Sequence, residues 1–241
     1  MIESSKDAKI RAELFIKKGE ILLGEGSYEQ ALGCWDQALE LAHDDYNILL
    51  PLGRTLLLNE RPDRAIIVFQ ETLKLYETPE VYLQYGISLL YLGRIDEALA
   101  CFERGLTLKP ENSALWRLHG VTLGNLGRHE EALASFDRGL SLKSDDPDLW
   151  RLHGATLLNL GRYEEGLISC CKGLEFKHDD LNLLTTYGDI LFNMDRYVEA
   201  KQALRDAVQV SPMMELHEFY WLSYNIFTMS KKMRSIVLKS Y

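Results

Sequence analysis

The chain repeats itself at a fixed period: Trp116-Arg117-Leu118-His119-Gly120 returns thirty-four positions later as Trp150-Arg151-Leu152-His153-Gly154, and Asn125-Leu126-Gly127-Arg128 returns as Asn159-Leu160-Gly161-Arg162. One such unit cannot bury its apolar face alone, so a fixed period of this size implies helical hairpins stacked on their neighbours. With Gly120 set at the eighth position, the units run 12–45, 46–78, 79–112, 113–146, 147–180 and 181–214, the second one residue short. Residues 1–11 then form a polar N-terminal lead-in, and 215–241 a C-terminal capping helix with a basic tail. Units four and five are identical at 21 of 34 positions, which points to an internal duplication.

Two columns are small in every unit: Gly19, Gly53, Gly86, Gly120, Gly154 and Gly188 at position eight, and Ala31, Ala65, Ala98, Ala132, Gly166 and Ala200 at position twenty. Small residues twelve apart on successive helices let the two backbones approach where the arms of a hairpin cross. Large residues surround them. Position four holds Leu49, Tyr82, Trp116, Trp150 and Leu184, position eleven a leucine in each unit from Leu22 to Leu191, and position twenty-four Trp35, Phe69, Phe102, Phe136, Cys170 and Leu204. Spacings of three, four and seven are helical, so these residues predict the buried stripe.

Gly26, Gly93, Gly127 and Gly161 at position fifteen predict left-handed turns between the arms. Acidic pairs such as Glu130-Glu131 favour the start of the second helix. Proline checks the register. Pro62, Pro79, Pro110, Pro147 and Pro212 fall at helix starts or between units, whereas Pro51, at position six, requires that its helix begin late or bend.

Composition narrows the function. A formal charge of −9 opposes a general role on nucleic acid or anionic membrane, since both are polyanions. No apolar run approaches the roughly 18 residues of a membrane span, and the first residues lack the layout of a secretory signal, so a cytoplasmic location is expected. Cys34, Cys101, Cys170 and Cys171 lack the spacing of a zinc or redox pair and read as small core residues in a reducing compartment. No phosphate loop, nucleophile elbow or spaced carboxylate pair is present, so the sequence predicts no catalytic residue, metal or cofactor.

Trp at four, Gly at eight, Ala at twenty, Phe at twenty-four and Pro at thirty-two together resemble the tetratricopeptide repeat (TPR) family, over about residues 12–214. The chain departs from that pattern at position seven, usually Leu, which is Lys18, Leu52, Tyr85, His119, His153 and Tyr187, and at position twenty-seven, which is Gly in three units. Pentatricopeptide RNA readers share the period but usually carry a basic surface and lack the aromatic-Gly pair. The resemblance implies an all-α, right-handed solenoid of helix-turn-helix repeats whose concave face is lined by the first helix of each unit, at positions two, five, nine, twelve and thirteen.

Carried onto this chain, those positions nominate Arg54, Leu83, Ile87, Tyr91, Arg117, Val121, Asn125, Arg151, Asn159, Asp189, Phe192 and Asn193 as a partner-binding groove. Three asparagines at one position would hold the backbone of an extended peptide regardless of its sequence, although Asn near a helix C-terminus also caps it. Arg117 and Arg151 could fork a carboxylate or phosphate. The family's Lys and Asn set for gripping a C-terminal carboxylate is not reproduced. The Arg column at position sixteen (Arg61, Arg94, Arg128, Arg162, Arg196) is followed each time by an acid and reads as local pairing. His119 and His153 read as satisfied interior histidines forming a polar row with Tyr85 and Tyr187.

The implied function is a scaffold or adaptor holding a peptide or helix of another protein. The alternatives are a structural protein that assembles through its ends, or a non-catalytic regulatory subunit. The aromatic run Phe219, Tyr220, Trp221, Tyr224 and Phe227 has no wide polar face and predicts a homodimer or partner surface.

Overall fold

The computed structural model describes residues 2–41 and 44–210, without the side chains of 2–6 and 208–210. Among these residues all regular structure is helical, divided between two compact units that part between Leu126 and Gly127. The first holds α1 (Ile2–Gly24), α2 (Tyr28–Leu41), α3 (Tyr46–Leu58), α4 (Pro62–Leu75), α5 (Pro79–Tyr91), α6 (Ile95–Leu108) and α7 (Ser113–Asn125). The second holds α8 (His129–Leu142), α9 (Pro147–Asn159), α10 (Tyr163–Phe176), α11 (Leu181–Asn193) and α12 (Tyr197–Val210).

Each helix starts and stops for a local reason. The first arms of hairpins are capped by Asp45, Thr78, Asn112, Asp146 and Asp180, whose side-chain oxygens accept from the backbone N–H two or three residues on. They end at Gly26, Gly93, Gly127 and Gly161, all left-handed with φ between 71° and 77°. Where that glycine is missing, Glu60 and Asp195 adopt φ of 58° and 61°, a strained choice for residues bearing a Cβ. The Arg column pairs locally as expected. Arg94, Arg162 and Arg196 each fork the Glu three residues on with distances of 2.6 to 2.8 Å, and Arg128 does the same to Glu131.

Three expectations change. Residues assigned to a lead-in belong to α1, which begins at Ile2 and is tied to the next hairpin by Lys9 Nζ at 3.0 Å from Asp45 Oδ2. Helix α3 does not begin late. It runs from Tyr46 through Pro51, which removes the N–H that would bond to the carbonyl of Asn47. The aromatic rings at position four are half-buried, not core. Trp116 Nε1 donates to Pro110 O at 2.7 Å and Trp150 Nε1 to Ser144 O at 2.8 Å, so these rings fasten the turn that precedes their helix.

Position three joins positions eleven and twenty-four as a fully buried column: Ile48, Val81, Leu115, Leu149 and Leu183 are at most 1% exposed. Position twenty-seven makes room for it. A Cβ on Gly105 would stand 3.0 Å from Leu115 Cδ2, and one on Gly173 would stand 2.9 Å from Leu183 Cδ1, so glycine there admits the leucine of the following helix. Position eight works similarly within a hairpin. A Cβ on Gly86 would lie 2.5 Å from Phe102 Cε1, so the position-twenty-four side chain lies directly on the glycine.

Candidate functional site

In the first unit α3 packs against α5 and α5 against α7, and in the second α9 packs against α11, so first arms adjoin within each unit. Positions five, nine and thirteen fall four apart along such an arm and share one face. On α5 these are Leu83, Ile87 and Tyr91, and on α7 Arg117, Val121 and Asn125. Leu83, Ile87, Arg117 and Val121 are half-buried, while Asn125, Tyr91 and Arg54 of α3 are exposed, Tyr91 at 71%. In the second unit Arg151 and Asn159 share one face of α9, and Asp189 and Asn193 one face of α11. These faces lie away from the buried columns of the same helices.

The three asparagines are all exposed but not equivalent. Asn193 Nδ2 donates to Asp189 O at 2.8 Å, so this residue caps its own helix. The side chains of Asn125 and Asn159 make no hydrogen bond among the described residues and present the whole amide. Phe192 is turned into its own hairpin, its ring edge-on to Tyr197 with centroids 5.2 Å apart. Asp189 already has an interaction within the structure.

The arginines differ in a way that bears on function. Arg54 and Arg117 make no ion pair among the described residues. Arg151 approaches Asp148 only loosely, Nε to Oδ1 at 3.9 Å, and its buried Nε lacks a hydrogen-bond partner. Among the described residues the Trp35 indole nitrogen is likewise buried without a partner.

The polar row at position seven runs along a different side of each first arm. Tyr85 accepts from Gln70 Nε2 at 2.9 Å, and His119 Nε2 stands 3.9 Å from Glu103 Oε1. His153 bonds Ser169 Oγ through Nδ1 at 2.8 Å and Asp137 Oδ1 through Nε2 at 3.1 Å. In every case the partner includes position twenty-five of the preceding repeat. Burial pushes the His153 pKa below its usual value, and Asp137 opposes that only in part. Both ring nitrogens are occupied, and among the described residues no group of three or more His, Cys, Asp or Glu is placed to hold a metal. Burial likewise raises the Cys101 and Cys170 thiols to about 12, leaving Cys171 as the exposed thiol. No helix among the described residues is long and apolar enough to cross a membrane. The aromatic residues Phe219, Tyr220, Trp221, Tyr224 and Phe227 lie outside the described residues.

Sequence comparison agrees with the architecture. A tetratricopeptide repeat family model matches residues 16–78, 83–148 and 118–170, and a second matches 181–212. The chain therefore belongs to the tetratricopeptide repeat family, and its fold is of the all-α TPR solenoid class. A search of curated proteins gives no match. Among solved structures, MamA from Desulfovibrio magneticus RS-1 is similar at 18% identity and a TM-score of 0.64, over 70% of this chain and 96% of that one. YrrB, described as a TPR protein with an unusual peptide-binding site, is 22% identical with a TM-score of 0.61, over 76% of this chain and 96% of that one. The Cut9–Hcn1 hetero-tetramer of the APC/C is 18% identical with a TM-score of 0.69, over 92% of this chain and 45% of that one. At such identities the likeness is one of fold.

Proposed function

We propose that this chain is a protein-interaction scaffold that holds a peptide or helix of a partner on the faces presented by its first arms. Arg54, Leu83, Ile87, Tyr91, Arg117, Val121 and Asn125 serve in the first unit, and Arg151, Asn159, Asp189 and Asn193 in the second, where Phe192, turned into its own hairpin, supports the face from beneath. The observation that supports this reading best is the open side-chain amide of Asn125 and of Asn159, each on the same helix as an arginine, Arg117 or Arg151. A carboxylate on the partner would pair with the guanidinium, and a neighbouring peptide group would take both sides of the amide. The fold-level likeness to YrrB, itself described as having a peptide-binding site, is in keeping with such a role. Apolar contact from Leu83, Ile87 and Tyr91 adds area without sequence preference.

Affinity purification from native lysate, comparing wild type with Arg117→Glu and Arg151→Glu and with Asn125→Ala and Asn159→Ala, tests it. A partner that is recovered with the wild type and lost with both double variants is the expected result. An unchanged set of partners with correctly folded variants would move the site elsewhere.

A further inference from the structure

Second arms of successive hairpins flank a cleft floored by the first arm between them, and two such clefts in this molecule differ sharply. The one among α2, α3 and α4 has a volume of about 30 Å³, and the one among α10, α11 and α12, which is largely open to solvent, about 610 Å³. The narrow cleft is closed by its own side chains: Arg64 Nη1 reaches Asp36 Oδ1 at 3.0 Å across it, and Ile67 and Val68 add to its wall. At the equivalent positions the wide cleft has Glu199 for Arg64, Cys171 for Asp36, Gln202 for Ile67 and Ala203 for Val68. The bridging ion pair is gone and the wall side chains are smaller or polar.

What remains is an apolar floor under an acidic rim. Leu174, Leu184, Tyr187 and Leu191 line the interior, and Glu175, Glu199 and Asp206 stand at the edge. Glu199 is already held by Arg196. Among the described residues neither Glu175 nor Asp206 is paired with a cation, Asp206 accepting only from the Gln202 amide at 2.8 Å. A volume of this size suits one or two large side chains. Two carboxylates without a cation partner at its mouth favour a cation beside them.

We infer that this cleft is a second docking site, taking from a partner protein a large apolar side chain flanked by arginine or lysine. The partner's cation stands over Glu175 and Asp206 and does there what Arg64 does within the narrow cleft, while the apolar side chain supplies the apolar surface that Ile67 and Val68 give the narrow one. The site is separate from the first-arm faces and depends on none of their residues.

Cys171, the exposed thiol and part of the cleft wall, reports occupancy directly. The full chain is titrated with a fluorescein-labelled synthetic peptide, Gly-Ser-Arg-Trp-Leu-Arg-Ser-Gly, and with its counterpart bearing Glu for both Arg. Anisotropy and the rate of Cys171 labelling by a maleimide are followed. Expected are salt-sensitive binding of the basic peptide alone and at least tenfold slower labelling at saturation. Both effects should be lost in Glu175→Lys with Asp206→Lys. A second variant, Cys171→Asp, Glu199→Arg, Gln202→Ile and Ala203→Val, rebuilds the closed cleft and should abolish binding while keeping helical content. Equal binding of the acidic peptide, unchanged labelling at saturation, or undiminished binding to either variant would overturn the proposal. So would protection of Cys171 before any peptide is added: independent of concentration it would assign the cleft to this chain's own residues 211–241, and rising with concentration to a second copy.

Discussion

The hairpins of the first unit and those of the second solve one packing problem with different side chains. In α1–α2, α3–α4 and α5–α6 an aromatic ring, Trp35, Phe69 or Phe102, lies on the glycine of the first arm. In α9–α10 and α11–α12 that place is taken by Cys170 and Leu204. The ring wedges the arms with a flat surface that tolerates no Cβ beneath it; Cys170 is still close, its Sγ 2.9 Å from a Cβ on Gly154, and Leu204 is looser. A Cβ on Gly188 would meet Leu204 Cγ at 3.2 Å and otherwise only looser contacts, against 2.5 Å to the ring for Gly86. The lesson is that a repeat keeps its backbone while its core loses volume, and the second unit is where side chains at neighbouring positions also shrink and a cleft opens.

The sharpest way to break this comparison is truncation of the large group. Phe102→Ala should cost about 3–5 kcal/mol through lost burial and the cavity left behind, and Cys170→Ala about 1 kcal/mol, since one buried sulfur is close to one methylene in size. Hydrogen exchange of the α5–α6 and α9–α10 amides reads each locally, which matters because repeat arrays need not unfold in one step. Equal losses would show that position twenty-four does not set hairpin stability.

Filling the notch is the next largest effect. Gly86→Ala should destabilise by roughly 1–3 kcal/mol because Phe102 has to leave its place. Gly188→Ala should be close to neutral, the small displacement of Leu204 offset by up to about 1 kcal/mol of helix propensity. Urea-unfolding midpoints of the two variants decide it.

Turn residues sharpen the contrast at smaller cost. Glu60→Gly should stabilise the first unit by up to about 1 kcal/mol by relieving a left-handed residue that carries a Cβ. Asp195→Gly should gain less, because Asp195 also accepts a hydrogen bond from Tyr197 Oη. Thermal unfolding of the single variants compares them.

The smallest effect is one of pH. His153 has a folded-state pKa depressed from 6.5 by burial, so the unfolded chain takes up its proton first as pH falls. Its contribution is therefore intact above pH 6.5 and declines as pH drops below that value toward the folded pKa. His153→Gln should flatten the fall in stability of the α9–α10 hairpin between pH 7.5 and 5.5, as followed by amide exchange. An undiminished slope would assign the acid sensitivity to carboxylates instead.

Much of the fold was legible because its determinants are local and repeated. Gly93 and Gly161 announce left-handed turns, and Arg94 with Glu97 announces a helix start. Position three was missed, although its apolar column from Ile48 to Leu183 was in view, because its burial comes from the second arm of the preceding repeat, whose position twenty-seven is no larger than threonine: Ala38, Thr72, Gly105, Gly139 and Gly173. The caps Asp45, Thr78, Asn112, Asp146 and Asp180 were equally visible, each at the last position of its unit. The candidate site was legible only as positions on a face. That Asn193 caps its helix while Asn159 stays open, and that Arg151 has an orphaned nitrogen while Arg162 is doubly bonded, follow from small differences in distance that no spacing of letters records.

The early start of α1 and the path of α3 through Pro51 apart, the order of letters alone determined where helices begin, end and turn, and which column lies against which inside a hairpin. Those relations span at most about sixteen residues, as from Gly86 to Phe102, and recur in every unit, so periodicity exposes them. Only the tertiary structure decided that the space beside α11 is open and the space beside α3 closed. That outcome sums the volumes and charges of side chains from three successive helices, and packing responds to the sum rather than to any one of them.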